Sequence, residues 1–282
     1  MNELTYILVL AVVVTIHEFG HYTLARTMGV KVKRLQIFFY SLYAFKPKAP
    51  KNKKGKTSWR DTEYAIGWLP FGGYTSYVNR PTSVTLTDAY GQKHSMGYDD
   101  YLRMRGIQPG GGNNDTYYNT KPAWKRLMIS IGGVLFNILT AFIIYMVIIM
   151  MSDVEGNVTF LHELGAAFDF IGYAVGTTFS NIFAMVGMNF FHPSISPENY
   201  DVIAAFAETA SSFPFIIHIA DLSCVLALIN FLPVPPLDGG HAVFEIYEMV
   251  TGNPPSPAFQ KGASVVGSIT FIIVFWILPM IF

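Results

Sequence analysis

The residues best suited to chemistry form the run His17-Glu18-Phe-Gly-His21, inside a long apolar segment. On an α-helix, positions i and i+4 lie on one face, so both imidazoles can hold the same metal ion. Glu18 lies beside them and can accept a proton from a water that the metal activates. Ionisable side chains in a membrane helix cost about 2.5–3.5 kcal/mol each on insertion scales, so the cluster predicts a functional site. The alternative is a polar cluster that binds neighbouring helices.

A third ligand must come from elsewhere, because a catalytic zinc ion has three protein ligands and one open position. The best candidate is Asp238, which follows the run NFLPVPPL that starts at Asn230. The three prolines of this run prevent a regular helix, and the two glycines after Asp238 permit tight turns. The sequence therefore predicts a bent segment that presents one carboxylate at membrane depth, where irregular backbone must line protein or a watery cavity.

The composition predicts a membrane protein. Of the 282 residues, 51% are hydrophobic and 13% are charged, whereas soluble chains carry about 25% charged residues. Four segments are apolar enough for the roughly 20 residues that a spanning helix needs. They are residues 4–28, 127–151, 213–232 and 263–282. The fold class is therefore a mainly α-helical membrane protein with about four transmembrane helices in a single domain, 1–282. Residues 164–191 predict a membrane-surface or half-buried helix.

Between the first two spans the sequence predicts strands. Residues 36–43 and 64–78 are rich in aromatic and β-branched side chains, and a proline and two glycines interrupt the second run. We expect them to form short strands joined through a turn. Residues 80–120 are polar and contain GGGNN, so they predict a long cytoplasmic loop.

Basic residues are concentrated in one part of the chain. All but one of the 19 Lys and Arg residues lie between Arg26 and Arg126. Because basic residues mark the cytoplasmic side of membrane spans, this region is expected in the cytoplasm and both termini outside. The basic stretch 46–60 fits a loop beside anionic lipid headgroups of the bilayer, so no nucleic-acid partner is predicted.

Two motifs together resemble one family. His17-Glu18-x-x-His21, with the later Asn230-x-x-Pro-x-Pro-x-Leu-Asp-Gly, resembles the site-2 protease family of intramembrane zinc metalloproteases. Residues 70–74 (PFGGY) resemble that family's Pro-Leu-Gly-Gly-Tyr segment, a hairpin that re-enters the membrane. Residues 121–137 resemble its run leading to Gly-Pro-x-x-Asn, with Gly-Val in place of Gly-Pro.

The resemblance implies roles for individual residues. His17, His21 and Asp238 would hold one Zn²⁺ per chain, with Glu18 as general base. Unwound substrate backbone needs new hydrogen-bond partners, which an edge strand supplies by strand addition. The re-entrant hairpin at about residues 36–78 would do this or simply cover the site. Further candidate supporting residues are Asn137, Asn230, Gly72 and Gly73. The two asparagines would orient substrate or its carbonyl, or else hydrogen-bond between helices.

The resemblance also implies an intramembrane endopeptidase acting on transmembrane proteins with a single span. Its expected place is the bacterial inner membrane, with the active site toward the cytoplasm. Residues 152–164 are too few for the PDZ domain that many bacterial members carry. Two alternatives stay open, which are an intramembrane metal or proton transporter and an inactive protein that binds membrane proteins. The oligomeric state is not predicted.

Overall fold

The computed structural model describes residues 3–48, 59–87, 92–105, 116–152, 159–184 and 200–273. Among them, three helices are long and apolar enough to cross a membrane. They are α1 (Glu3–Thr27), α4 (Gly132–Met151) and α7 (Pro214–Phe231). The first and third expected spans match α1 and α7 closely. The chain is therefore a mainly helical membrane protein.

The second expected span is divided into two helices. Helix α3 (Ala123–Ser130) ends at Ile131, and α4 begins at the next residue. The expected span over 127–151 therefore covers the end of α3 and the whole of α4, because an apolar run does not reveal a one-residue interruption of a helix. Just before the break, the Ile129 carbonyl accepts a hydrogen bond from a side chain of α1.

The fourth expected span is covered only in part. Helix α9 (Pro257–Ile272) starts with a proline at its first position. Ser256 caps it by accepting a hydrogen bond from the Phe259 backbone N–H at 3.2 Å. The segment 263–282 continues beyond Ile273, outside the described residues. It therefore stays a prediction.

Two further helices pack on α4. They are α5 (Phe160–Ala184) and α6 (Tyr200–Ser211). Ala166 and Ala167 of α5 are fully buried in a cluster with residues of α4, α6 and α7. Of the two alternatives for this region, the half-buried helix agrees with this burial. Inside the cluster, the Tyr145 hydroxyl donates to Asp221 of α7 at 2.7 Å.

A β-hairpin follows α1, as the aromatic composition predicts. Strand β1 (Val32–Phe45) pairs antiparallel with β2 (Glu63–Tyr77). The register pairs the start of β1 with the end of β2, from Val32 opposite Tyr77 to Ile37 opposite Gly73. It also places residues 34–37 beside 63–66. Residues 73–77, called the margin strand below, therefore have a strand partner on one side only within the described part of the chain.

The segment 80–120 is not simply a loop. Its described residues form strand β3 (Ser83–Thr87), strand β4 (Lys93–Gly97) and helix α2 (Tyr98–Met104). Strands β3 and β4 pair antiparallel from Ser83 opposite Gly97 to Thr87 opposite Lys93. The loop expectation was wrong here because short two-stranded sheets exposed to solvent keep a polar composition. The GGGNN run lies outside the described residues.

Candidate active site

Two helices present the three predicted ligands. Helix α1 carries His17 and His21 one turn apart, and helix α8 (Asp238–Thr251) begins with Asp238. The loop before α8 folds tightly against the helix start. A Cβ atom at Gly239 would lie 2.3 Å from the Phe231 carbonyl oxygen, and one at Gly240 would lie 2.1 Å from the Pro235 nitrogen. Only glycine permits this approach, which brings Asp238 back to α1.

Three side-chain atoms converge at the centre of the site. Oδ2 of Asp238 is 3.1 Å from Nε2 of His17 and 3.1 Å from Nε2 of His21. The two Nε2 atoms are 3.2 Å apart. Both histidines are buried. The three atoms thus form a nearly equilateral triangle inside the protein.

The outer nitrogens of both imidazoles have their own contacts. Nδ1 of His21 lies 2.8 Å from the Ile129 carbonyl oxygen, so this nitrogen carries the proton and donates it. Nδ1 of His17 lies 3.3 Å from the amide nitrogen of Asn137. The buried Oδ1 of Asn137 has no hydrogen-bond partner among the described residues, and exchanging the two ends of this amide would let it accept from His17. Both contacts would leave Nε2 as a lone-pair donor, as metal ligation requires.

This donor set fits a zinc ion. Zn²⁺ takes imidazole nitrogen and carboxylate oxygen at about 2.0–2.2 Å in a tetrahedron, whose ligand atoms lie about 3.3 Å apart. The observed separations of 3.1 and 3.2 Å match one face of that tetrahedron. Oδ2 of Asp238 is buried and receives no hydrogen bond from the part of the chain that the structure describes. Three lone pairs that face one another need a cation between them, so the residues fit the metal.

Helix α4 packs directly on the His17 ring. A Cβ atom at Gly133 would lie 2.4 Å from Cε1 of His17 and 2.5 Å from its Nε2. Real Cβ atoms essentially never approach so closely. The absence of a side chain at Gly133 therefore sets the position of the imidazole, and Asn137, one turn further along α4, contacts the same ring.

Glu18 lies between the ligands and the margin strand. Its side chain is buried, and its Oε2 accepts a hydrogen bond from the Thr75 hydroxyl at 2.8 Å. A Cβ atom at Gly73 would lie 3.0 Å from Cγ of Glu18 and 3.3 Å from its Oε1. Gly72, the preceding residue of β2, has a φ of 135°, a conformation that favours glycine. The carboxylate is therefore held against the backbone of β2.

A cavity of about 450 Å³ opens beside these groups. Its wall includes the three ligand residues, Glu18 and residues of the margin strand. Asn230 also lines it, although its Nδ2 donates to the Leu226 carbonyl of its own helix at 3.0 Å. His241, one turn into α8, lines it as well. The cavity therefore adjoins both the ligand cluster and Glu18.

A half-buried ion cluster joins α3 to α8 behind this cavity. Arg126 forms salt bridges with Glu245, at 2.9 Å, and with Glu248. The Tyr118 hydroxyl, on the cavity wall, donates to Glu245 at 3.3 Å. Burial raises the pKa of the Glu245 carboxyl, and the Arg126 guanidinium opposes that rise. The cluster fixes the helix that begins with Asp238 against the helix that carries the Ile129 carbonyl.

Comparison with known proteins agrees with this geometry. The sequence model of peptidase family M50 matches residues 5–274. The chain belongs to peptidase family M50. This is the family of site-2 proteases, so the resemblance drawn from the motifs is confirmed. The M50 match extends from α1 to the last described residues of the chain.

Individual relatives are similar over shorter stretches. Metalloprotease MmpA of Caulobacter vibrioides is 30% identical over 161 residues, which cover 56% of this chain and 36% of the relative. Regulator of sigma-E protease RseP of Escherichia coli K12 is 36% identical over 80 residues, which cover 27% of this chain and 14% of the relative. The similarity thus covers about a third or less of the length of these relatives.

The structure brings most of the predicted residues together. His17, His21 and Asp238 converge, and Glu18 and Gly73 adjoin them, while the roles assigned to all of these residues stay predictions. Asn137 contacts His17 rather than the open cavity. Sequence reasoning missed Thr75, although the two-residue period of a strand places it on the same face as Gly73. It also missed the Ile129 carbonyl, for which a sequence carries no signal because it is a backbone group.

Proposed function

We propose that this chain is an intramembrane zinc metalloendopeptidase that hydrolyses peptide bonds within or near the membrane-spanning segments of other proteins. The observation that carries the proposal is the convergence of His17, His21 and Asp238 beside Glu18, where the histidines and Glu18 lie on a helix long and apolar enough to cross a membrane. A metal ligand set with an adjacent carboxylate and an open cavity suits metal-assisted hydrolysis. Membership of peptidase family M50 supports the same reaction class.

His17, His21 and Asp238 would hold the zinc, with Asn137 and the Ile129 carbonyl orienting the imidazoles. Bound there, zinc would act as a Lewis acid that polarises the scissile carbonyl and lowers the pKa of a water to about 7. Glu18 would accept the proton of the attacking water and pass a proton to the leaving amine. Its position between the ligands and the margin strand suits both transfers, because the scissile bond would lie between them.

The margin strand is the proposed binding edge for substrate. A transmembrane helix hides each carbonyl in a hydrogen bond to the amide four residues on, so the scissile stretch must unwind. Addition to residues 73–77 would satisfy the freed backbone groups. Large apolar side chains such as Tyr40, Leu42 and Trp68 are exposed on the hairpin, which supports its placement in the membrane as a re-entrant element. Pairing on one side only leaves the other side of this strand for a peptide.

The topology and substrates follow from the same reasoning. We infer about four spans, the fourth being residues 263–282, with both termini outside. The basic residues between Arg26 and Arg126 support a site that faces the cytoplasm, and the similarity to bacterial family members supports a place in the bacterial inner membrane. The substrates would be single-span proteins or signal-peptide remnants. Their processing would not use a PDZ domain within residues 1–282.

Substitution of Glu18 by Gln tests the proposal. Membrane proteomes of cells carrying the wild type and Glu18→Gln are compared, and span-containing fragments that accumulate only in the variant are scored. General acid–base groups typically contribute about 100-fold to 10,000-fold to the reaction rate, so we expect the cleavage rate to fall by about 100-fold or more. Zinc should stay at one per chain, because Glu18 is not among the three converging ligands.

Other outcomes would point elsewhere. Unchanged fragment patterns under several stresses, with zinc bound, would favour an inactive protein that binds membrane proteins. Metal flux into liposomes carrying the wild-type chain would favour a transporter, which needs a path to both faces of the membrane.

A further inference from the structure

Thr75 contacts Glu18 through its hydroxyl. Oγ1 lies 2.8 Å from Oε2 of Glu18 and 3.3 Å from the Glu18 backbone carbonyl oxygen. A threonine hydroxyl has one proton, so it donates to the nearer and charged acceptor. We propose that Thr75 is a positioning residue, whose hydroxyl fixes the Glu18 carboxylate in the orientation that proton transfer requires. This inference rests on the proposed function.

The two oxygens of Glu18 have different surroundings. Oε2 accepts from Thr75, while Oε1 faces the bare Cα of Gly73, where a Cβ atom would be 3.3 Å away. The last torsion of a glutamate side chain is soft, so an unrestrained carboxylate would sample many orientations. The Thr75 hydroxyl removes that freedom and leaves Oε1 as the proton acceptor. Gly73 keeps the space beside Oε1 open.

The Thr75 hydrogen bond holds a carboxylate that is largely buried. Glu18 is 5% exposed, and its side chain lies between α1 and β2. A buried polar group that loses its partner is destabilised or changes orientation. Thr75 also belongs to the margin strand, the proposed binding edge for substrate. One side chain therefore ties the base to the strand, so that a shift of the strand moves base and peptide together.

Kinetics of matched variants test this inference. The full chain in detergent is assayed with a single-span substrate from the Glu18→Gln comparison. Thr75→Val keeps the branched shape without the hydroxyl, and hydrogen bonds to charged groups predict kcat about 10-fold to 100-fold lower. KM should stay within about 2-fold, and zinc at one per chain, because Thr75 does not bind metal. Thr75→Ser should restore kcat to within about 3-fold of the wild type.

Thr85→Val is the control, because Thr85 is an exposed residue of β3. It makes the same substitution in a strand outside the site and should leave kcat unchanged. A rise in KM with unchanged kcat for Thr75→Val would assign Thr75 to substrate binding and overturn the inference. So would a kcat equal to the wild type, or a loss that Thr75→Ser does not restore.

A second readout does not depend on cleavage. The thermal midpoint of the detergent-solubilised full chain is measured for Thr75→Val, Glu18→Ala and the double variant. If the hydroxyl holds Glu18, the two shifts are not additive, by roughly 3 °C or more. Additive shifts would overturn the inference. If the wild type cuts nothing, the proposed function fails, while this coupling still decides whether Thr75 holds Glu18.

Discussion

The ligand cluster (His17, His21 and Asp238) and the Glu18 carboxylate share one cavity, yet different parts of the molecule hold them. The ligands are held by contacts between helices. Gly133 of α4 lies against the His17 ring, and the Ile129 carbonyl at the end of α3 accepts from His21. Both contacts are made by backbone atoms of packed helices, so the two imidazoles have little freedom to change position.

Glu18 lies on α1 beside His17, yet its carboxylate is held by contacts with a sheet. It accepts a hydrogen bond from the Thr75 hydroxyl and lies against the Cα of Gly73, both on a strand with a partner on one side only among the described residues. Tyr74, between them, is 39% exposed, whereas His17 and His21 are each 7% exposed. The metal position thus depends on the helical core. The orientation of the Glu18 carboxylate depends on the margin strand, the proposed binding edge for substrate. Zinc content and turnover should therefore be separable by mutation.

Gly133→Ala is expected to have the largest effect on the helical half of the site, which comprises His17, His21, Asp238 and the helix contacts that hold them. The added methyl would overlap the His17 ring, 2.4 Å from Cε1. A shift of α4 away from the ring would also move Asn137, which contacts the same ring. We expect zinc affinity to fall by about 100-fold or more, and cleavage to be lost with it. Metal analysis of the purified chain after dialysis against a chelator measures the effect.

Gly165→Ala is the matched control for that variant. Gly165 lies in α5, where nothing stands within 4 Å of an added Cβ. It should keep its zinc. If Gly133→Ala also keeps its zinc, then the contact between α4 and the His17 ring does not set the metal position.

Gly73→Ala tests the strand half of the site, which comprises the Glu18 carboxylate and its contacts with the margin strand. Its Cβ would lie 3.0 Å from Cγ of Glu18 and 2.5 Å from the Gln36 carbonyl oxygen, so the margin strand or the glutamate must move. We expect kcat to fall about 10-fold to 100-fold while zinc stays bound, because the atoms nearest to an added Cβ belong to Gln36 and Glu18 rather than to a ligand residue. Gly172→Ala, with open space around it, serves as the control. Loss of zinc from Gly73→Ala would mean that the two halves are not independent.

The helical half was the more predictable from sequence. The i, i+4 spacing of His17 and His21 fixes their relative geometry on any helix. Asp238 stood out because prolines and glycines surround a carboxylate in an apolar region. The sequence did not reveal the break at Ile131, because the apolar run continues across it and hydropathy does not report a one-residue interruption of a helix.

The strand half was predictable only in outline. Aromatic and β-branched residues indicated the hairpin, but not that residues 34–37 have neighbours on both sides. Register depends on turns and on contacts with α1 that no local pattern encodes. For the same reason Thr75 was overlooked, because its partner Glu18 lies 57 residues away in sequence. The β3–β4 hairpin was missed because its exposed residues are as polar as a loop.

Arg126→Gln is expected to have the smallest effect on the site. It tests whether the helical half includes the Arg126 ion cluster between α3 and α8. Arg126 and Glu245 each expose 12% of their side chains, so removing the guanidinium leaves a buried carboxylate without its counter-charge. Breaking such pairs costs about 3–5 kcal/mol, which predicts a thermal midpoint lower by about 5 °C or more.

Zinc affinity of Arg126→Gln should fall by less than about 10-fold, because Asp238 is two turns from the ion cluster and keeps its own tight loop. Lys125→Gln removes the neighbouring charge, which lies over the Trp124 ring, and should change neither quantity. If Arg126→Gln lowers stability but not zinc affinity, the helical half ends at the loop before α8. If both fall together, the anchoring of α8 on α3 helps to place the third ligand, and the helical contacts that set the metal position extend as far as the Arg126 ion cluster.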